Sequence, residues 1–229
     1  TKVGYIIMTS DKEGLERKFE AKQRNRNKPG VVLCGSMEQL KSLAEMNPEI
    51  EAFYKAHWDA DVLLGCILPW REDAIARLPD NGLKDLMMDG RKTSCFVIKF
   101  GKPGEMIAKE LWEKHQKFSF ASSANPSGKG NRGMVEFIGE RIEARADVII
   151  CANEYVKSIQ PDETQESRYE QGVMVSMVDS EGKLVPEQGS ARKVTPCPVL
   201  IRKGLDVNKI INFMSAQFNT WDYRHGDYY

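Results

Sequence analysis

The feature that most constrains the fold of this chain is the alternation of short apolar runs with amphipathic helical patterns. The runs at 31–34, 62–68 and 94–100 have the length and composition of buried strands. Between and around them, apolar residues recur every three or four positions, as they do over 48–58. Strands alternating with helices form a sheet covered by helices, so the sequence predicts an α/β fold.

The rest of the chain extends the same pattern. We predict further strands at 118–121, 148–151, 173–178 and 199–202, and helices at 10–22, 102–116, 133–143 and 206–219. The first helix should begin with a capping box at Ser10, and the helix at 102–116 should turn Met106 inward. We expect one domain over 1–219, followed by an aromatic tail at 220–229.

Charge, hydropathy and cysteine content exclude several classes of protein. The charges of the 33 basic and 33 acidic residues cancel, which argues against a protein that coats nucleic acid or a membrane by bulk charge. The composition still allows a local basic groove. No apolar stretch is long enough to span a membrane, and no leader pattern opens the sequence. The five cysteines form no C-x-x-C pair and the three histidines are scattered, so we expect buried free thiols, no metal site built by the chain, and a cytoplasmic location.

Two segments carry residues suited to anion binding. Lys22-Gln-Arg24-Asn-Arg26-Asn-Lys28 places four cations where a helix ends, which suits a clamp for phosphate or carboxylate, or equally a solvated helix end. Small polar residues follow a predicted strand over 119–128, where backbone N–H groups can approach a phosphate; a structural loop is the alternative. The glycines at 128, 130 and 133 fit G-x-G-x-x-G, but five residues separate them from the strand, so we reject a dinucleotide site.

Taken in order, several segments resemble the YrdC-type family of threonylcarbamoyl-AMP synthases. Ser122-Ser-Ala-Asn125-Pro-Ser-Gly128 is the most specific, since it is similar to the family's S/T-S-A-N-x-S-G signature. The other matching segments are Thr1-Lys-Val-Gly-Tyr5, Lys22-Gln-Arg24, Lys28-Pro29-Gly30, Phe96-Val-Ile-Lys99-Phe100, Val173-Met-Val-Ser176-Met-Val-Asp179 and Pro198-Val-Leu-Ile-Arg202-Lys-Gly204.

The resemblance implies a twisted open mixed sheet, flanked by helices around a large basic cavity. It implies ATP-dependent synthesis of threonylcarbamoyl-AMP from L-threonine and bicarbonate, with release of pyrophosphate, for modification of tRNA adenosine 37 by partner proteins. Magnesium would accompany ATP, held mostly by water and substrate. The residues so implied are Lys22 and Arg24 for catalysis, both expected to be exposed to the cavity, Lys28, Lys99, Ser123, Asn125, Ser176 and Arg202 for ATP, and Thr1 and Tyr5 for the amino acid.

Departures from the family pattern leave other functions open. Lys99 stands where the family has arginine, and Lys2 where an acidic or polar residue is usual. A diverged member would adenylate another carbamate or amine. A non-catalytic module would bind RNA or sense a nucleotide, and steep salt dependence or absent pyrophosphate release would identify it.

Overall fold

A mixed eight-stranded sheet organises the computed structural model, which describes residues 1–23, 30–126 and 128–224. The strand order is β1-β5-β2-β4-β3-β6-β7-β8. The pairs β2/β4, β3/β6 and β7/β8 are parallel, and the other neighbours are antiparallel. The strands are Ile6–Thr9 (β1), Val31–Leu33 (β2), Leu64–Pro69 (β3), Thr93–Ile98 (β4), Phe120–Ser123 (β5), Val173–Ser176 (β6), Val199–Arg202 (β7) and Asp222–Tyr223 (β8).

Helices cover both faces of this sheet. Those found in the described residues are Lys12–Lys22 (α1), Met37–Leu43 (α2), Pro48–Asp59 (α3), Glu72–Ala76 (α4), Lys84–Met87 (α5), Gly104–His115 (α6), Glu140–Glu143 (α7), Asn153–Ile159 (α8) and Val207–Gln217 (α9). The largest apolar cluster packs α1, α2, α3 and α9 against one face, and α6 packs on the other through Ala108. The predicted α/β fold with a mixed sheet is confirmed.

The predicted helix over 48–58 illustrates how apolar spacing fixes packing. Ile50, Phe53, Tyr54 and His57 are fully buried, as their i, i+3, i+4, i+7 spacing requires. The Tyr54 hydroxyl donates to the carbonyl of Phe96 at 2.8 Å and accepts from the Cys66 amide at 3.2 Å. This hydroxyl satisfies polar groups of β3 and β4 from inside the core.

The predicted inward face of α6 is wrong at one position. Met106 is 61% exposed, whereas Gly104 and Ala108 are buried. The cause is the closeness of the helix to the sheet, since a Cβ added at Gly35 would lie 2.6 Å from the backbone nitrogen of Lys109. Small residues therefore face the sheet, and the longer side chain points outward.

Three other local predictions need correction. The helix predicted over 133–143 is a 3₁₀ turn, Val135–Phe137, and the short α7, because Gly139 between them has φ of +88°. The side chain that caps α1 belongs to Asp11, which accepts from the Gly14 amide at 2.8 Å, and not to Ser10. The segment 148–151 pairs with no strand in the described part of the chain, and Val148 is 75% exposed.

The cysteines separate into two groups. Cys34, Cys66 and Cys95 are buried free thiols, as predicted, and burial raises the pKa of Cys95 to about 12. Cys151 is exposed and Cys197 half-buried, so the prediction of burial is wrong for Cys151. Cys151 is exposed because the segment that carries it joins no strand of the sheet.

Two findings concern the periphery. Asp222 and Tyr223, in the predicted aromatic tail, form β8 beside β7. Residues 225–229 lie outside the described part. Among the helices described, none has both the length and the apolar composition needed to cross a bilayer.

Burial of His57 predicts a pH dependence of stability. Its Nδ1 lies 2.7 Å from the carbonyl oxygen of Phe53, and burial lowers the pKa of His57 to about 4, against roughly 6.5 when unfolded. The unfolded state therefore binds a proton more readily, so the stabilising contribution is complete above about pH 6.5 and is lost as the pH falls towards 4. Urea denaturation should show roughly 2 kcal/mol lost between pH 7 and pH 4.5 from this residue.

The matched variants separate this residue from general acid effects. His57→Gln should remove that part of the pH slope, because glutamine does not titrate. His115→Gln, at an exposed position of α6, should keep the wild-type slope. Equal slopes in all three proteins would contradict the assignment.

Candidate functional site

The end of α1 brings a lysine to the end of β5. The Lys22 ammonium donates to the backbone carbonyl of Ser123 and lies 3.3 Å from its hydroxyl. Lys22 is only 8% exposed, and its expected exposure to a substrate cavity stays a prediction. Arg24 and Lys28 lie outside the described residues. The structure thus brings together two separate motifs, Lys22-Gln-Arg24 (K-x-R) and Ser123-Ala-Asn125 (S-A-N), through the contact of Lys22 with Ser123.

Two further predicted residues lie on the sheet face that carries Ser123. Ser176 of β6 is opposite Ile67 and Val199 in the register. A β-bulge at Met174/Val175 shifts the register so that Arg202 lies opposite Met174. Ile67, Val199 and Met174 form one apolar cluster with Cys95, and paired residues of neighbouring strands point to the same face.

Hydrogen bonds fix both side chains on that face. The Ser176 hydroxyl donates to the carbonyl of Val178 at 3.1 Å, and Arg202 Nε donates to the carbonyl of Gly172 at 3.1 Å. The charge of Arg202 also acts on the Cys95 thiol, where it lowers the pKa against the larger effect of burial. Ser123, Ser176 and Arg202 thus line one face from β5 to β7.

The loop after β5 is organised by an asparagine that sequence reasoning missed. Asn131 is 4% exposed. Its amide donates to the carbonyls of Tyr5 (2.9 Å) and Ala124 (3.1 Å), and its oxygen accepts from the amides of Tyr5 (3.2 Å) and Gly133 (3.1 Å). The available signal was a second asparagine in the Gly-rich turn. The predicted ligand Asn125 is half-buried, and its amide donates to the carbonyls of Pro126 and Lys129 in the same loop.

Tyr5 and Thr1, predicted for the amino-acid pocket, both form hydrogen bonds within the protein. The Tyr5 hydroxyl donates to Asn153 Oδ1 at 2.5 Å and accepts from the Ala152 amide at 2.6 Å. Burial raises the pKa of Tyr5, with further contributions from Cys151 and Glu136, although the Ala152 amide opposes the shift. The Thr1 hydroxyl donates to the carbonyl of Gly4 at 2.6 Å.

Lys99 lies away from the junction of Lys22 and Ser123. It follows β4, which is parallel to β2, whereas Ser123 ends β5, which is antiparallel to β2. The two residues therefore lie towards opposite ends of these strands. Their roles in binding a nucleotide stay predictions.

The Lys99 ammonium lies 3.4 Å from the Asp61 carboxylate and 4.3 Å from the centre of the Trp58 ring. Lys2 approaches the same carboxylate to 3.0 Å. Burial opposes ionisation of Asp61, yet its hydrogen bonds and charge interactions with the two lysines hold its pKa below the usual value. Sequence reasoning missed Asp61, because nothing local relates it to Lys99 and Lys2, which are 38 and 59 positions away.

A cavity of about 390 Å³ runs along the outer edge of β1. Its walls are mostly apolar and come from β1, α1, α6 and the segment 145–152, with Thr1 and Tyr5 at its border. The large basic cavity expected on the sheet is a different feature and stays a prediction. In the described residues, no three His, Cys, Asp or Glu side chains are grouped to hold a metal ion.

The Asn131 bridge predicts a stability effect. Asn131→Ala should lower the free energy of unfolding by about 1–3 kcal/mol, since it leaves buried groups of Tyr5 and Ala124 without this partner. Urea denaturation measures the loss. Asn81→Ala is the control, because Asn81 is exposed and accepts one bond, from the Leu83 amide. Equal small losses in both variants would contradict the bridging role.

Comparison with known proteins places this geometry among relatives. A hypothetical protein from Streptococcus mutans UA159 superposes with a TM-score of 0.94 at 65% identity, over 100% of this chain and 88% of that one. Sua5 from Pyrococcus abyssi, solved in complex with L-threonine, superposes with a TM-score of 0.57 at 24% identity, over 92% of this chain and 52% of that one. The second likeness concerns the fold alone.

Sequence comparison finds relatives of the same kind as the structural comparison. The threonylcarbamoyl-AMP synthase of Pyrococcus abyssi is 28% identical over 145 residues, which is 63% of this chain. This chain spans only 38% of the length of that relative. The family model for Sua5, YciO and YrdC proteins, described as telomere recombination, matches residues 1–164. The chain therefore belongs to the Sua5/YciO/YrdC family, as its motifs indicated.

Proposed function

We propose that this protein is a nucleotidyltransferase that forms threonylcarbamoyl-AMP from L-threonine, bicarbonate and ATP, and releases pyrophosphate. The observation that carries the proposal is the junction of Lys22 with Ser123, where the K-x-R and S-A-N segments meet. Ser176 and Arg202 on the same sheet face support it. Family membership and the named activity of the Pyrococcus relative support the reaction class.

The chemistry suits a site without a nucleophilic side chain. The amine of the amino acid adds to the carbon of bicarbonate, a C–O bond of bicarbonate breaks with release of water, and a carbamate forms. A carbamate oxygen then attacks the α-phosphorus of ATP and expels pyrophosphate. Such a reaction depends on charges and donors held in place before the substrates arrive. Lys22 is fixed by its contacts with Ser123, so its ammonium is positioned without further ordering.

ATP would enter with magnesium. The described residues near Ser123 offer hydroxyl, amide and ammonium groups, and no grouped carboxylates. Magnesium keeps several waters and binds readily through phosphate oxygens, so the nucleotide and water would supply its ligands. Ser123, Asn125, Ser176 and Arg202 would then contact phosphates or ribose, and Arg24, Lys28 and Lys99 would add charge.

Thr1 and Tyr5 would border the amino-acid pocket, and the product would pass to partner proteins that modify tRNA.

The test is pyrophosphate release from ATP and bicarbonate, across the twenty amino acids and simple amines. We expect release that needs threonine and bicarbonate together. Release with another amine would keep the adenylation and replace the substrate; ATP binding without release would favour a nucleotide or RNA-binding module.

Lys22→Ala should lower kcat/KM for pyrophosphate release at least about 100-fold, the scale of losing one preorganised charge. Lys12→Ala is the matched control, because Lys12 is on the same helix, its side chain is 41% exposed, and its one ion pair within the described residues is with Glu16, at 3.9 Å. Circular dichroism and urea denaturation show whether the variant is folded. Arg24→Ala should be similarly inactive.

Ser123→Ala gives a second measurement at the same junction. It removes the hydroxyl 3.3 Å from the Lys22 ammonium but keeps the carbonyl that accepts from it. We expect a smaller loss than in Lys22→Ala, mainly as a raised KM for ATP. Full activity in folded Lys22→Ala and Arg24→Ala would show that the site is elsewhere.

A further inference from the structure

The edge of the sheet at β1 faces the segment 147–152, which pairs with no strand in the described residues. β1 is the first strand in the order, and β5 is its one strand partner among the described residues. All four residues of β1 are only half-buried. The cavity of about 390 Å³ lies along this edge, and the segment 147–152, here called the strap, lines it.

The strap has the composition of a strand. Val148, Ile149 and Ile150 are consecutive β-branched residues, which favour extended backbone. They are nevertheless 75%, 38% and 48% exposed. Three adjacent exposed apolar side chains are costly unless another surface covers them. The nearest surface that lacks a strand is the edge of β1.

Both ends of the strap are tethered beside β1. At one end Asp147 accepts two bonds from the Arg17 guanidinium of α1, at 2.5 and 3.0 Å. At the other end the Ala152 amide donates to the Tyr5 hydroxyl at 2.6 Å. The five steps from Asp147 to Ala152 span roughly 16 Å when extended, enough to run along four residues of a neighbouring strand.

We propose that the strap closes onto β1 as an antiparallel ninth strand. The direction follows from the tethers, since Tyr5 precedes β1, whereas Arg17 lies midway along α1, which returns beside β1 from the far end of that strand. Closure pairs the open edge of β1 and places alternate strap side chains on its two sides, where Ile107 and Leu111 of α6 line one wall and Ile138 and Ile142 line the other. The open arrangement keeps the cavity, and the closed one fills it with the strap's own side chains.

Closure reaches the site through Tyr5. The hydroxyl that accepts from the Ala152 amide belongs to a residue assigned to the amino-acid pocket, so closure of the strap changes the contacts of that side chain. This consequence rests on the proposed function; the closure itself does not. The tests below read backbone pairing and proximity, and their outcome is independent of pyrophosphate release.

Hydrogen exchange of the unmodified protein is the first test. A ninth strand protects amides of the strap, so exchange at 148–151 should be at least tenfold slower than in the segment 192–193, which is exposed and whose amides donate no backbone hydrogen bond in the described residues. Exchange at equal rates in the two segments would overturn the proposal. No variant is required, so misfolding cannot obscure the result.

Cross-linking through the native Cys151 thiol tests the pairing. In an ordered antiparallel pair, Cys151 lies near the start of β1 and shares a sheet face with only one of the neighbouring residues Ile6 and Ile7. Under mild oxidation, one of the variants Ile6→Cys and Ile7→Cys should therefore form a disulfide with Cys151 at least tenfold more than the other, because neighbouring β1 side chains point to opposite faces. Peptide mass spectrometry identifies the bond, and Cys151→Ser removes it. Equal yields in the two variants, or none in either while both are folded, would overturn an ordered ninth strand.

Discussion

The position of the candidate site depends on β5, which is antiparallel to both of its neighbours. Since β1 and β2 then run in the same direction, the chain must return along the sheet between them, and α1 makes that return. An eleven-residue helix is roughly 16 Å long and β1 roughly 13 Å, so α1 ends near the level where β1 begins. Lys22 and Ser123 meet there because the topology brings together the ends of α1 and β5.

Where the β1–β5 ladder ends, a side chain continues it. Ala124 donates to the Tyr5 carbonyl at 2.9 Å, and the Asn131 amide then contacts both residues from inside the loop. A carboxamide carries both a donor and an acceptor, so it can replace a missing stretch of strand backbone. Because the Asn131 side chain takes the place of strand backbone, the carbonyls of Tyr5 and Ala124 keep hydrogen-bond partners where the chain leaves the sheet after Ser123. These bonds hold the S-A-N loop beside α1.

The sequence predicts what periodicity and local motifs determine. The buried face of α3, the strands around Val32, Cys66 and Phe96, and the family follow from residues close together in the chain. Val148, Ile149 and Ile150 have the composition of a strand, but composition does not supply a neighbouring strand. Within the described residues, the strap pairs with no strand. The partnership of Lys99 with Asp61 and the outward position of Met106 depend on distant backbone, so local patterns did not reveal them.

The two lysines that depart from the family pattern have different consequences for the proposed substrate. Lys2 is 5% exposed and its ammonium is directed to Asp61, so this substitution adds little exposed charge to the segment from Thr1 to Tyr5. Lys99 keeps a positive charge but loses the planar fork of arginine, and a compact ammonium fits between a carboxylate oxygen and the face of Trp58. Both ammonium groups therefore meet the single carboxylate of Asp61, which offsets part of their positive charge, so the two departures alter the charge presented to a substrate less than the sequence alone suggested.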